Sequence, residues 1–373
     1  MGSMNTSLLN DNFWAKKQVL VTGHTGFKGS WLSLWLSRLS ARVTGISIEP
    51  NTNPNLYTQL NLIKRIENHH IADIRNGAKV AEIVKACRPD VVFHLAAQPL
   101  VRRSYEQPLS TWETNVQGCL NLLEALKKSD KKCAVVMITT DKVYENNNWD
   151  FGYRECDRLG GVDPYSASKA AAELAISSWR ASFCGKGSQQ TEHLEIATAR
   201  AGNVIGGGDW SEDRIIPDAI RALTAGQPIS IRNPQATRPW QHVLEPLSGY
   251  MRLAEALLNE SKKDISHQSL CEAFNFGPKI ESNLSVSRLI EQILKHWPGN
   301  YIDLPSVNEP HESHRLNLQI DKAYHRLNWQ PKWSFITTVE KTVNWYKKTN
   351  NGHDPYECCL EDIKDYTSQS TPD

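Results

Sequence analysis

The chain has 373 residues, 40% of them hydrophobic, so it can bury a large core and its length suggests two to three domains. Its 42 Lys and Arg residues nearly balance 41 Asp and Glu residues, so no overall field favours nucleic acid or a charged membrane surface as a partner. No apolar run approaches the roughly 20 residues of a membrane span, and eight scattered cysteines indicate reduced thiols, so we expect a cytoplasmic protein.

The first predicted strand, 18–22, runs into a glycine-rich turn. The turn reads Thr22-Gly23-His24-Thr25-Gly26-Phe27-Lys28-Gly29, and an amphipathic stretch at helical spacing follows over 30–39. A strand, a glycine turn and a helix together place a pyrophosphate at a helix N-terminus. Gly23 permits the tight turn, Gly26 lets the backbone approach the phosphates, and Gly29 allows close packing of helix and strand. The segment predicts a dinucleotide-binding site.

Strand-like and helix-like segments alternate through the first two hundred residues. The predicted strands are 18–22, 43–48, 91–95, 134–139 and 194–199, with helical patterns at 80–87, 116–128 and 167–183. This order predicts an α/β fold with a doubly wound, parallel Rossmann sheet. Beyond Arg200 the pattern loosens without a linker, which favours a second, smaller mixed domain interleaved with the first. We expect a first domain over 14–202, rejoined by about 241–276, a second over 203–240 and 277–360, and tails at 1–13 and 367–373.

Two groups of polar residues in this region suggest acid–base chemistry. Tyr165 is followed four residues later by Lys169, one helical turn away, and an ammonium there favours the phenolate that a base needs. Thr140-Asp141-Lys142 directly follows the apolar strand 134–139, and ligands of doubly wound sheets bind at the carboxyl ends of strands. On these grounds alone, an ordinary turn with a solvated lysine explains the second group equally well.

Together the motifs resemble the extended short-chain dehydrogenase/reductase superfamily, whose fingerprint is Thr-Gly-x-x-Gly-Phe-x-Gly. The resemblance extends over about 14–346 and implies a Rossmann domain that binds NAD and a smaller C-terminal domain that binds a nucleotide-sugar. Family positions that contact the cofactor correspond to the glycine turn, the end of the second strand, the segment 72–74 and the turn after the fourth strand. The implied cofactor contacts are Gly23, Thr25, Gly26, Phe27, Lys28, Gly29, Ser47, Asp73, Ile74, Leu95, Ala96, Ala97, Tyr165 and Lys169.

Within that superfamily, a threonine followed by an acid–base pair is typical of the nucleotide-sugar 4,6-dehydratases. The pair is usually Asp-Glu, whereas Asp141-Lys142 is the variant typical of members that act on CDP-glucose. The segments 199–210, 213–218 and 238–243 are similar to the same members. The resemblance therefore implies CDP-glucose as substrate, and a guanidinium suits its diphosphate, although structural roles for the two arginines stay open. The implied substrate contacts are Gln98, Asn203, Arg214, Arg238 and His311.

The implied reaction begins when Tyr165, helped by Thr140 and Lys169, removes the proton of the sugar 4-hydroxyl while hydride leaves C4 for the cofactor. Lys142 then removes the C5 proton and Asp141 protonates the departing 6-hydroxyl, after which hydride returns to C6. The products are CDP-4-keto-6-deoxyglucose and water, as in deoxysugar synthesis for bacterial surface polysaccharides such as O-antigens. A lysine base requires a pKa lowered by burial or by a positive neighbour.

The end of the second strand departs from the usual pattern of NAD-binding enzymes. Ser47 stands where NAD enzymes of this fold usually carry an acid for the adenosine ribose, and Glu49 comes two residues late. No arginine follows that could bind the 2′-phosphate of NADP, so we retain NAD as the cofactor. We expect NAD to bind more weakly than it does when the acid is present. His69-His70 is interpreted as a loop, and no metal site is expected because no third ligand has suitable spacing.

Three alternatives remain open. The chain could dehydrate a dTDP-, UDP- or GDP-hexose, or act as a nucleotide-sugar 4-epimerase, which has no need of an acid–base pair after Thr140. A Rossmann protein that senses NAD(P) without catalysis is a more distant alternative, since such proteins often lose the tyrosine or the lysine. Family members pack two helices per subunit into a four-helix bundle, so 116–128 and 166–183 predict a homodimer or homotetramer, unless these helices only cover the sheet.

Overall fold

The computed structural model describes residues 11–184, 193–259, 269–304 and 316–368. Its centre is a sheet of seven parallel strands in the order 3-2-1-4-5-6-11, with helices on both faces. The first six strands follow the order typical of a Rossmann fold, so the predicted fold class is confirmed.

The strands alternate with helices up to the sixth strand and become shorter afterwards. Three additional two-stranded sheets, β7 with β10, β9 with β12 and β8 with β13, belong to the second half of the chain. The strands are β1 Gln18–Thr22, β2 Arg42–Ser47, β3 Asn68–Ile71, β4 Val91–His94, β5 Cys133–Ile138, β6 Leu194–Ala201, β7 Val204–Ile205, β8 Ile229–Ile231, β9 Thr237–Pro239, β10 Gln241–His242, β11 Ala273–Phe276, β12 Asn283–Ser285 and β13 Tyr301–Asp303.

Fourteen α-helices lie in the described ranges, and short 3₁₀ turns cover Leu62–Lys64, Asp141–Val143 and Ile280–Ser282, with a π turn at Glu113–Gln117. The helices are α1 Asp11–Trp14, α2 Phe27–Arg38, α3 Leu56–Gln59, α4 Gly77–Cys87, α5 Val101–Glu106, α6 Pro108–Trp112, α7 Gly118–Lys127, α8 Pro164–Phe183, α9 Ile215–Thr224, α10 Leu244–Asn259, α11 Val286–His296, α12 Asp321–Leu327, α13 Phe335–Asn350 and α14 Pro355–Ser368.

The sheet separates two hydrophobic cores because successive strand residues face opposite sides. On β1, Val19 and Val21 join the core beneath α2 and α10, whereas Leu20 joins the core beneath α4, α7 and α8. All three side chains are fully buried. The near-continuous apolar strands are therefore those of a parallel sheet covered on both faces.

The structure differs from the sequence-based expectations at several points. His69 and His70 lie on β3, so their interpretation as a loop is wrong; β3 is a half-exposed edge strand without an apolar run. The strand β11 was not predicted, although it pairs with β6 over Ala273–Phe276. The last helix continues to Ser368, two residues into the predicted tail. Within the described ranges, no helix combines the length and apolar character needed to cross a membrane.

Candidate active site

The glycine turn has the geometry that a dinucleotide requires. Gly23 has a φ of +77°, and a Cβ there would lie 2.8 Å from the Ala96 backbone nitrogen. At Gly29 a Cβ would lie 2.1 Å from the Gly23 carbonyl oxygen, so only glycine allows α2 to start this close to β1. The first turn of α2, with Gly26 as its extended N-cap, thus presents a bare helix N-terminus beside the carboxyl ends of β1 and β4. These residues fit a pyrophosphate.

The end of β2 carries hydroxyls in place of the usual acid. Ser47 Oγ and Thr25 Oγ1 lie 2.7 Å apart, and Thr25 Oγ1 also donates to the Ile48 carbonyl oxygen over 3.0 Å. Ser47 is buried, whereas Glu49 is exposed. The structure thus brings Ser47 and Thr25 together at the predicted adenosine edge of the sheet.

The remaining predicted cofactor residues line the same edge. Ala96 donates its backbone N–H to Thr22 Oγ1 over 3.2 Å, in the turn that holds Leu95 and Ala97. Asp73 forms a half-exposed ion pair with Arg75 at 2.6 Å. Ile74 is buried, and its methyl would lie 2.7 Å from a Cβ on Gly118.

Tyr165 and Lys169 lie on α8, whose start is fixed by a capping box between Asp163 and Ser166. Lys169 Nζ donates to the Ile138 carbonyl oxygen over 3.2 Å, at the end of β5. Burial raises the pKa of Tyr165 to about 12, against a hydrogen bond with Thr140 that lowers it. Burial also lowers the pKa of Lys169. Burial thus shifts the pKa of the tyrosine in the direction opposite to the one that the sequence predicts from Lys169.

Thr140, Asp141 and Lys142 form a tight turn directly after β5. Thr140 Oγ1 accepts from the Lys142 backbone N–H at 3.3 Å and donates to Asp141 Oδ1 at 3.0 Å. Asp141 is 1% exposed, and its Oδ2 has no hydrogen-bond partner in the described part of the chain. Burial raises the pKa of Asp141, against Lys142, Thr140, Arg238 and Lys28, which lower it. A buried carboxyl that tends to keep its proton is suited to act as an acid.

The predicted substrate residues comprise two arginines, two amide side chains and one histidine. Arg214 is half-buried and forms an ion pair with Asp209 at 2.8 Å, while Arg238 is buried on β9 and its charge acts on Asp141. Asn203 lies half-buried just after β6, and the Gln98 amide is occupied by Leu100 and Thr111. His311 lies outside the described residues.

Trp240 follows Arg238 by two residues in the chain but is not placed to contact a nucleobase. Its ring is 2% exposed within the larger core, and its Nε1 donates to the Leu284 carbonyl oxygen over 2.8 Å. It therefore holds β9 to β12 and is not available to stack on a base. Among the described residues, no three His, Cys, Asp or Glu side chains come together as a metal site would need.

Sequence reasoning missed a buried polar network behind Lys169. Glu173, one turn further along α8, accepts from Thr139 Oγ1 at 2.5 Å, Thr198 Oγ1 at 2.9 Å and Arg200 at 2.8 Å. The four-residue spacing of Tyr165, Lys169 and Glu173 was the available signal, because it puts all three on one helix face. The network ties α8 to β5 and β6 and so fixes the position of Lys169.

Comparisons with known proteins identify the family of the chain. The family model described as GDP-mannose 4,6 dehydratase matches residues 20–342. The chain is 44% identical to a CDP-glucose 4,6-dehydratase of Salmonella typhimurium, over 98% of this chain and 100% of that protein.

Solved structures share the fold. A dTDP-glucose 4,6-dehydratase from Bacillus anthracis in complex with NAD is similar with a TM-score of 0.71 and 21% identity, over 91% of this chain and 99% of that one. A UDP-glucose 4-epimerase from Stenotrophomonas maltophila with bound NAD has a TM-score of 0.76 and 19% identity, over 90% and 100%. The chain therefore belongs to the GDP-mannose 4,6 dehydratase family, within the extended short-chain dehydrogenase/reductase superfamily that its motifs resemble.

Proposed function

We propose that this chain catalyses the NAD-dependent dehydration of CDP-glucose to CDP-4-keto-6-deoxyglucose. The observation that carries the proposal is the buried Asp141 beside Lys142, at the same strand end that Lys169 and Tyr165 approach. The 44% identity to a CDP-glucose 4,6-dehydratase supports both the reaction and the nucleotide.

NAD, when bound, would accept hydride from C4 of the sugar and return it to C6. The glycine turn with Thr25, Ser47 and the 95–97 turn would hold it. Tyr165 would take the proton of the 4-hydroxyl, with Thr140 holding the phenol oxygen by the hydrogen bond that lowers its pKa. Burial raises the pKa of Tyr165 to about 12, so positive charge close to the phenol oxygen would ease this proton transfer.

The second half of the reaction would use the turn after β5. Lys142 would remove the C5 proton, which a ketone at C4 makes acidic, and Asp141 would protonate the departing 6-hydroxyl. The raised pKa of Asp141 fits a group that must hold its proton until the C6–O bond breaks. Arg214 and Arg238 would bind the diphosphate, with Asn203 near the sugar and His311 as a further predicted contact.

We also infer assembly into a homodimer or homotetramer through α7 and α8. Leu122 and Ile176 cover the sheet, as the alternative interpretation expects, but Leu174 on α8 is 61% exposed. On the neighbouring α6, Leu109 is 78% and Trp112 40% exposed. Exposed apolar side chains on these two helices are suited to packing against a second copy. All eight cysteines are free thiols, which supports the expected cytoplasmic location.

The deciding experiment is a mass-spectrometric turnover assay with added NAD against CDP-, dTDP-, UDP- and GDP-hexoses. Loss of one water from CDP-glucose alone, without accumulated NADH, is expected. Loss of water from another nucleotide would retain the mechanism and reject the cytidine assignment. An unchanged mass with every sugar would reject dehydration, and isomer-resolving NMR would then test for epimerisation.

A further inference from the structure

Gly202 lies where three segments of the molecule meet. It follows the last residue of β6 and comes shortly before β7, in the loop that leads from the central sheet into the second half of the chain. A Cβ built on Gly202 would lie 2.7 Å from Asp141 Oδ2 and 3.2 Å from Pro239 Cγ. The backbone of Gly202 thus lies between the turn after β5 and β9, the strand that carries Arg238.

The reason for a glycine at position 202 is space. Its φ lies outside the left-handed region, so the backbone conformation does not call for a glycine. The backbone on both sides is fixed by strand pairing. Ala201 pairs with Phe276 on β11, and Val204 pairs with Gln241 on β10. A side chain at position 202 would therefore displace the groups that face it.

The carboxyl of Asp141 is held from two sides. Thr140 Oγ1 donates to Oδ1 over 3.0 Å, whereas Oδ2 faces Gly202 and has no hydrogen-bond partner among the described residues. Because Oδ1 accepts from a donor, Oδ2 is the oxygen that can carry a proton and give it away. The position of Oδ2 therefore determines where Asp141 can deliver a proton.

We propose that Gly202 is a positioning residue for the dehydration step, and that its missing side chain leaves the space in which Asp141 Oδ2 lies when it protonates the departing 6-hydroxyl. This inference rests on the proposed function. Proton transfer between two oxygens needs a separation of about 2.5–3.0 Å. Carbon–oxygen contacts lie at about 3.3–3.6 Å, so an alanine Cβ at position 202 would move Oδ2 by at least about 0.6 Å. A shift of this size exceeds that range of separations.

The proposed step balances without any bond to Gly202. The bond between Asp141 Oδ2 and its proton breaks as the proton passes to the 6-oxygen of the sugar. The C6–O bond breaks, and water leaves. The C5 proton passes to Lys142, and the electron pair of the C5–H bond forms the C5–C6 double bond. The effect of Gly202 must therefore come through the position of Asp141.

The first test compares Gly202→Ala with the wild type, with Gly160→Ala as the matched control. A Cβ on Gly160 would lie 3.4 Å from Glu145 Cβ, an ordinary contact, so the control should behave as the wild type does. In Gly202→Ala, the loss of water from CDP-glucose, followed by mass spectrometry, should fall by about 10- to 100-fold, since a misplacement of about 1 Å can cost 10²-fold. C4 oxidation should continue, so NADH absorbance should appear and persist.

A double-variant cycle asks whether Gly202 acts through Asp141. In an Asp141→Asn background the acid is already lost, so Gly202→Ala should reduce the residual dehydration rate no further. An equal fold loss in both backgrounds would overturn the inference. A lower affinity for CDP in Gly202→Ala, measured by calorimetry, with an unchanged dehydration rate would also overturn it, because the effect would then lie on Pro239 and β9.

Folding of the variants provides a second comparison if Gly202→Ala alone does not fold. The double variant that combines Asp141→Ala with Gly202→Ala should then fold, because the carboxyl that meets the new Cβ is gone. Failure of the double variant as well would overturn the inference, since the added methyl would then clash with another group.

A measurement without substrate separates this inference from the proposed function. Crystal structures of the wild type and Gly202→Ala are compared at Asp141, whose Oδ2 should be displaced by at least about 0.6 Å. An unmoved carboxyl beside a shifted Pro239 would overturn the role of Gly202 even if CDP-glucose is dehydrated. Wild-type protein that dehydrates no CDP-glucose, with Asp141 displaced in the variant, would reject the proposed function and leave the steric coupling of Gly202 and Asp141 standing.

Discussion

Glu173 and Arg200 form an ion pair of 2.8 Å between α8 and β6, with side chains only 1% and 4% exposed. The carboxylate also accepts from Thr139 and Thr198, and the guanidinium donates to the Tyr144 hydroxyl at 2.9 Å. These contacts keep Glu173 ionised despite its burial: its pKa is lowered overall because Arg200 and the hydroxyls outweigh desolvation. The pair thus stabilises the helix that carries Tyr165 and Lys169, the proposed catalytic residues.

We expect Glu173→Gln to destabilise the protein by about 3–5 kcal/mol, because it leaves the Arg200 charge buried without its counter-ion. Urea unfolding at neutral pH measures the change in the free energy of unfolding. The control is Glu124→Gln, since Glu124 pairs with Lys127 on the surface and its loss should cost less than about 1 kcal/mol. Similar losses of unfolding free energy in both variants would show that the buried ion pair contributes no more to stability than the surface pair.

Lys142→Met should separate the two halves of the reaction. In the proposed mechanism C4 oxidation depends on Tyr165 and Lys169, so it should continue in this variant. NADH absorbance should therefore appear on mixing with CDP-glucose. Loss of water should fall by about 100-fold or more, since general-base catalysis contributes 10²–10⁴-fold. Tyr165→Phe is the contrasting variant, because it should suppress NADH formation as well. Full turnover in Lys142→Met would remove this lysine from the mechanism.

Asp141→Asn distinguishes a dehydratase from an epimerase on the same fold. An amide cannot protonate the 6-hydroxyl, so the dehydration rate should fall by about 10²–10⁴-fold. An epimerase has no use for that proton, and its interconversion of 4-epimers would be unaffected. Both rates are measured in one sample, by the mass of the product and by NMR of the sugar ring.

Glu245 should make stability depend on pH near neutrality. Burial raises the pKa of this carboxyl to about 7, against hydrogen bonds from the Trp333 and Lys332 backbone and the Tyr366 hydroxyl. Between the ordinary value of 4.5 and about 7, the folded state holds a proton that the unfolded chain has lost. The free energy of unfolding should therefore fall as pH rises across this window, by up to about 3 kcal/mol, and no further above it.

Urea unfolding at pH 5, 6, 7 and 8 checks this dependence in the wild type and in Glu245→Gln. The variant should show a shallower slope but retain part of it, because burial also raises the pKa of Asp362 to about 7. An identical slope in the two proteins would mean that Glu245 is already ionised in the folded state at pH 5.

Local pattern was sufficient to predict most of the sheet and the glycine turn. The strands β1, β2, β4, β5 and β6 are buried runs, and their order with the helices determines a parallel sheet. β3 was not predicted because Asn68–Ile71 is the edge strand of the sheet. Its polar side chains contact solvent, so the sequence there has no apolar run. Tyr165, Lys169 and the turn after β5 were predicted as one site, because the carboxyl ends of parallel strands meet at one edge.

Contacts between distant residues could not be read from the sequence. Glu173 was visible from its spacing, but its partner Arg200 follows 27 residues later on another element. Lys28 lies within a motif associated with phosphate binding, yet its side chain extends towards Tyr250, 222 residues away. This contact depends on how α2 and α10 pack together, and no local pattern encodes that packing.

The position of β11 has a consequence for how the protein is made. The central sheet is completed by residues Ala273–Phe276, more than seventy residues after β6 has ended. During synthesis on the ribosome, the edge of β6 that pairs with β11 stays unpaired until the segment containing α9 and α10 has been made. A fragment ending near residue 202 would keep that edge exposed, whereas every residue of β6 is buried in the 373-residue chain. Such a fragment should therefore aggregate rather than fold as an isolated domain, because its last strand lacks the neighbour that β11 provides.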